Sequence, residues 1–339
     1  MTNEKAIDLW PNESFCSDGI TEIATRDVLF PSGRQAVLHA VEKLGGRREQ
    51  KIALPEYSSH CLISTVAKKI TPLPISAALA QPSAIDIILL YSQWGWERPL
   101  EQLDAVKQVF TKASIILDRV DSLSSSLVAL PGYYVGQEVL QIFSLNKLLG
   151  VGGGGLVASA GNWLRAERGS CGEGRLCREL SDMKNSLGLE SVGDMIRGWQ
   201  MSDLQMLTPE LIDWLDGNSL TQSIHRAAIA RRERLDVVAE FSDDLEWPAW
   251  MLCALGEGAQ VFPGIAPLFV RNSEVARELA DVIFTRTNVR VAVYHFDKSP
   301  SHISPQWSPC IAVPLHWKIA VDTLRWIIDF WLSEAKGDD

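Results

Sequence analysis

The chain has 339 residues, 46% hydrophobic and 22% charged, enough for a packed core and about two domains. A net charge of −10 argues against nucleic acid or an anionic membrane as a partner, while a local positive pocket for a small anion stays open. No apolar run approaches the roughly 18 residues of a membrane span, and Glu4, Lys5 and Asp8 stand where a secretory signal would be apolar, so a soluble cytoplasmic protein is expected.

Residues 1–30 carry no periodic pattern and read as an arm. Ser32 precedes Ala36, Val37, Ala40, Val41 and Leu44 at helical spacing, with Gln35 completing a capping box and Gly45-Gly46 a stop, which predicts a helix over 33–44. KIALPEY (51–57) reads as a buried strand stopped by Pro55, and 60–69 as a helix. IDIILLYS (85–92) is a continuous apolar run and so a buried strand; 100–110 is a helix. ASIILDRVDS (113–122), VLQIFSLNK (139–147) and GLVAS (155–159) read as three more strands. Residues 160–190 are polar, with Gly169, Gly172 and Gly174, and read as a surface excursion. A long helix over 220–241 contains RRER (231–234). Beyond about 245 the pattern is α+β. WMLCAL (250–255) and APLFV (266–270) read as strands, SEVARELADVIF (273–284) as a helix and VRVAVYHF (289–296) as a strand. A last helix presents Trp317, Ala320, Val321, Leu324, Ile327, Ile328 and Trp331 on one face.

Strands alternating with helices predict an α/β layer with a mixed, mostly parallel sheet, followed by a smaller α+β domain. The expected division is 1–235, arm included, and 236–339. In such sheets chemistry collects at the carboxyl ends of the strands, where Asp118, Asp121 and Lys147 fall. The six cysteines form no CxxC pair; Cys171 and Cys177 lie six apart with no second ligand pair, so reduced thiols and no metal are expected.

SLNKLLGVGGGG (144–155) invites a phosphate-loop reading. Gly150, Gly152 and Gly155 satisfy GxGxxG, but a strand-like LVAS follows where that fingerprint needs a helix. A P-loop needs its glycines before the lysine, and here they follow it. A lysine forming a Schiff base is the stronger reading. Pyridoxal phosphate (PLP) also requires a carboxylate for the pyridine nitrogen, a helix N-terminus for the phosphate and a flat group over the ring. Ser32-Gly33-Arg34 opens a helix, Asp118 ends a buried strand, Lys147 follows one strand later, and Ser144 lies three residues before it. Each has an ordinary explanation as a cap, a turn residue or an exposed lysine; their joint order on an α/β pattern favours PLP.

PSGRQAVLHAVEKLG (31–45), IALPEYSSHCLISTVAKK (52–69), IILDRVDSL (115–123) and IFSLNKLLGVGGGGLVAS (142–159) carry a resemblance to fold-type I PLP enzymes of the DegT/DnrJ/EryC1/StrS sugar aminotransferase family. VFPGIAPLFVRN (261–272), VYHFD (293–297) and IAVPLH (311–316) resemble its C-terminal domain. The resemblance implies Lys147 as Schiff-base lysine and proton shuttle, and Asp118 at the pyridine nitrogen. It implies Gly33, Arg34 and Ser144 at the phosphate, with Tyr57 or His60 near the ring. It further implies an amino-acid donor, glutamate, a nucleotide-sugar acceptor and a homodimer. Asp121 stands where the family has Gln or His near the cofactor's 3-hydroxyl, and a carboxylate there disfavours the phenolate unless protonated or turned away. Arg34 replaces a threonine. A related sugar dehydratase, which uses histidine for the lysine, and a non-catalytic dimer are the alternatives. The glycine run is expected to turn the chain tightly after Lys147 and to pass close to a neighbouring subunit or substrate. RRER reads as a solvated face or a diphosphate contact. Trp94, one of twelve tryptophans, reads as a stacking or core residue.

Overall fold

The structure, a computed structural model, describes residues 6–10, 29–99, 101–124, 139–159, 162–163, 207, 209–256, 259 and 261–335. The excursion at 160–190, with Cys171 and Cys177, lies outside the described residues apart from 162–163. Helix α1 (Gly33–Lys43) starts where expected: Ser32 Oγ accepts from Gln35 N at 3.2 Å, and Ala36, Val37, Ala40 and Val41 are buried. Strand β1 (Lys51–Leu54), helix α2 (His60–Val66), strand β2 (Thr71–Pro74), helix α3 (Ile75–Ala78), strand β3 (Ile87–Tyr91), helix α4 (Glu101–Val109) and strand β4 (Ser114–Asp118) follow. Next come β5 (Leu123–Ser124), β6 (Val139–Ser144), helix α5 (Leu145–Leu149), β7 (Gly155–Ser159) and β8 (Asn162–Trp163).

The main sheet has the order β2-β1-β3-β4-β6-β7-β8. Pairing is parallel from β2 to β6 and antiparallel from β6 to β8, the expected mixed sheet. Side chains alternate across it, as the strand period of two requires. Leu89, Ile116 and Ile142 pack with α1 on one face, while Ile88, Leu90, Ile115 and Leu117 pack with α4 on the other.

The remaining elements are helices α6 (Pro209–Gly217), α7 (Leu220–Ala239) and α8 (Ala249–Leu252), strands β9 (Val261–Phe262) and β10 (Ile265–Phe269), helix α9 (Ser273–Thr287), strands β11 (Ala292–Asp297) and β12 (Trp307–Pro314), and helix α10 (Val321–Ala335). β10-β12-β11 form an antiparallel sheet, and β5 pairs with β9. Among the described residues no helix is long and apolar enough to cross a membrane.

Several elements depart from the pattern. VLQIFSLNK is a strand only to Ser144; LNKLL then coils into α5, which stops at Gly150 in the left-handed region, φ 70°. WMLCAL is helical, not a strand. Pro248 caps α8, and a short apolar run does not by itself distinguish the two states. Thr71-Pro-Leu-Pro forms β2 because an edge strand tolerates prolines. The last helix begins at Val321, leaving Trp317 outside it. RRER is a solvated face only in part: Glu233 is exposed and Arg232 half-buried, while the other two arginines point inward. Arg231 is 2% exposed and donates through Nη1 to the carbonyls of Asp121 (2.7 Å) and Phe262 (3.1 Å). Arg234 is buried and donates to the carbonyls of Trp317 and Ile319.

Candidate active site

The start of α1 meets the end of β6. A Cβ on Gly33 would lie 3.2 Å from Ser144 Cβ and 3.3 Å from its Oγ. Ser32 takes the amides of Gln35 and Ala36, so those of Gly33 and Arg34 are the first-turn donors with no acceptor inside the helix. Arg34 Nη2 donates to Cys61 Sγ at 3.1 Å, and its buried Nε has no acceptor among the described residues. Two amides, a hydroxyl and a guanidinium with a donor to spare fit a phosphate dianion.

The glycine run completes this corner. Gly154 N donates to Pro31 O and Gly155 N to Phe30 O, both at 2.9 Å. A Cβ on Gly155 would lie 2.4 Å from Ser32 O, so only a bare backbone lets β7 lie this close to the start of α1. Within this chain the run lies close to this segment and, at Gly154, to Leu145.

Asp118 ends β4, 9% exposed, its Oδ1 accepting from Val120 N at 3.1 Å. Burial pushes its pKa up to about 6, against the pull of Lys147 and that amide. A buried carboxylate with a single amide on it fits a ring N–H cation.

Lys147 projects from α5, and its Nζ lies 3.1 Å from Asp121 Oδ2. The other oxygen of Asp121 accepts from Trp10 Nε1 at 2.9 Å, and Lys147 Nζ stands 5.0 Å from the Trp10 ring centroid. Burial alone would lower the Lys147 pKa; Asp121 and Asp118 outweigh it and hold the amine above its ordinary value. Asp121 is therefore turned onto the lysine. Its backbone is packed tightly: Gly95 has φ 90°, and a Cβ there would lie 2.6 Å from Asp121 O.

The structure thus gathers Gly33, Arg34, Ser144, Asp118, Asp121 and Lys147 at one end of the sheet. It places Tyr57 and His60 differently. Tyr57 is 57% exposed, stacked on His295 (5.3 Å, 7°) and edge-on to Trp307 (4.7 Å, 74°). His60 is exposed in the first turn of α2, and its side chain makes no hydrogen bond or ion pair among the described residues. Trp94 is core, packed on Tyr294 and Phe296.

Trp10, Cys61, Arg231 and Tyr294 escape sequence reasoning, because each reaches the site from a distant element. Cys61 carries a local clue in standing two residues past the helix-capping Ser59. Burial raises its pKa, but Arg34, the Ser59 hydroxyl and Lys147 together bring the thiol below its ordinary value.

Residues 17–164 match the family model described as "Putative PLP-dependent aminotransferase". The chemistry is that of a PLP-dependent aminotransferase. A search of curated proteins finds no match. Among solved structures, the aminotransferase fold is shared with a "Putative sugar aminotransferase" of Streptococcus pneumoniae in its PLP form (TM-score 0.57, 12% identity, covering 91% of this chain and 87% of that one). It is also shared with 8-amino-7-oxononanoate synthase of Francisella tularensis (TM-score 0.54, 12% identity, 98% of each chain). The aminotransferase TlmJ of Streptoalloteichus hindustanus has the same fold (TM-score 0.51, 13% identity, 91% and 86%).

Beside this site lies a narrow pocket lined by Glu56, Tyr91, Arg98, Asp297, His302 and Trp307, among others. Tyr91 is in register with Asp118 on the neighbouring strand, and Arg98 Nη2 pairs with Asp297 at 2.6 Å.

Proposed function

We propose that this enzyme moves an amino group from an amino acid, glutamate, to a keto-sugar carried on a nucleotide, as a cytoplasmic homodimer of the DegT/DnrJ type. The observation that carries the reading is the convergence of Lys147, Asp118 and the α1 start, which come from three separate chain segments. In this reading Gly33, Arg34 and Ser144 hold the cofactor phosphate, and Asp118 holds the pyridine nitrogen. Lys147 Nζ carries the cofactor and moves the proton at the donor's Cα. PLP, when bound, supplies the electron sink. Residues 1–235 form the cofactor-binding part and 236–339 the smaller part.

Arg34 and Asp121 raised the possibility of a non-catalytic homologue. Arg34 supports cofactor binding instead, because its spare N–H has no acceptor among the described residues. Asp121 is occupied by Lys147 and Trp10. A dehydratase of this type replaces the lysine that is present here.

Mixing the protein with PLP should produce a visible absorption band that is absent in Lys147→Ala. Glutamate alone should then discharge it, with one 2-oxoglutarate formed per site, and nucleotide-linked keto-sugars should restore it. A protein that stays colourless with PLP refutes cofactor chemistry. A band that glutamate discharges and no nucleotide-sugar restores refutes only the acceptor class. Size-exclusion chromatography with light scattering tests the dimer.

A further inference from the structure

We propose that Trp10 is a positioning residue whose indole N–H holds Asp121 against Lys147 Nζ, so that the N-terminal arm sets how firmly the lysine nitrogen keeps its proton in the loaded enzyme. The proposal rests on the reading of Lys147 as the cofactor-bearing lysine.

The two oxygens of Asp121 have separate holders: Oδ2 takes Lys147 Nζ at 3.1 Å and Oδ1 takes Trp10 Nε1 at 2.9 Å. A carboxylate held by one oxygen alone turns readily about its last torsion. The indole removes that freedom and keeps the negative charge on the lysine.

Trp10 is itself delivered by a fixed strap. Ile7 bridges Val289 in parallel, with Ile7 N on Asn288 O (3.0 Å) and Arg290 N on Ile7 O (2.7 Å). Asp8 O lies 2.8 Å from His316 Nε2, while His316 Nδ1 accepts from Lys318 N at 3.3 Å, which puts the ring proton on Nε2. Burial lowers the His316 pKa to about 4, so the neutral ring keeps this arrangement at neutral pH. Thus residues 7 and 8 are tied to C-terminal elements, and residue 10 acts at the end of the main sheet.

The charged and titratable groups around the lysine come from every side. Asp118 ends β4 and Asp121 follows it, Cys61 comes from α2 with Arg34 of α1 beside it, Arg231 from α7 and Tyr294 from β11. Arg231 binds the carbonyl of Asp121, not its carboxylate. Among the described residues Trp10 alone donates to Oδ1.

Trp10→Phe keeps an aromatic ring over Lys147 and removes the donor. The readout is the pH at which the visible band of the PLP-loaded protein titrates, in the wild type and in an Asp121→Asn background. Trp10→Phe should lower that pH by about half a unit to one unit, part of the roughly one to two units that a lost charge-assisted hydrogen bond is worth, since Asp121 stays in place and only its hold on the lysine loosens. In the Asp121→Asn background it should add no shift, while Asp121→Asn alone should lower the pH at least as far. No shift, a rise, or an equal shift in both backgrounds overturns the proposal. Should Trp10→Phe fail to fold, an unchanged titration in Asp121→Asn does so on its own. A wild-type protein that gives no band overturns the Lys147 reading and this proposal together. A normal wild-type band with an unmoved variant overturns this proposal alone.

Discussion

Asp118 shows how burial prepares a residue for a ligand. It is 9% exposed, and its pKa of about 6 lies above the ordinary value of 3.8. A group whose folded pKa is raised adds stability below its unfolded pKa and loses it as pH rises through the folded one. In the cofactor-free protein this loss runs from pH 3.8 to about 6. Asp118→Asn should therefore be more stable than wild type above pH 6 by roughly 2–3 kcal/mol, and no more stable below pH 4, in urea melts across pH. The same protonation should weaken PLP binding to the wild type below pH 6, because a neutral acid attracts a ring cation less. Arg34 makes a separable contribution. Arg34→Ala should weaken PLP by about 10–100-fold and leave pyridoxal, which lacks the phosphate, within a few-fold, as read by equilibrium titration.

Between elements, the contact that matters most is β7 against the start of α1. Gly155→Ala puts a methyl 2.4 Å from Ser32 O, so the backbone of Ser32 and Gly33 must move. The expected cost is about 1–3 kcal/mol in thermal or urea melts. PLP affinity should fall with it, because Gly33 and Ser144 share that corner. α5 works in a similar way. One turn of helix after Ser144 lifts Lys147 back over the strand ends, where an extended chain would carry it onward. Its stop at Gly150 is legible in the glycine-rich sequence, whereas its start is not, because no glycine or proline separates Leu145-Asn146-Lys147 from the strand before it.

Across the whole molecule, α7 joins the parts. Arg231 holds carbonyls of the β4–β5 turn and β9, while Arg234 holds the turn before α10. Arg231→Met should lower stability by roughly 2–4 kcal/mol in denaturant melts, since two buried carbonyls lose their donor. The α/β class, the strands β3, β4 and β6, and the polar residues at or just past their ends, Asp118 and Lys147, were legible in the sequence. Buried parallel strands write themselves as apolar runs, and polar residues at their ends stand out against them. The strand state of Thr71–Pro74, the helical state of Ala249–Leu252 and the burial of Arg231 depended on neighbours that local pattern does not name. So did the turning of Asp121 onto Lys147 and the arrival of Trp10. By itself the sequence determined which side chains have the chemistry for a PLP site. Tertiary structure alone decided which of them meet, because hydrogen bonds and ion pairs act over a few ångströms of space, and Trp10 and Asp121 are 111 residues apart along the chain.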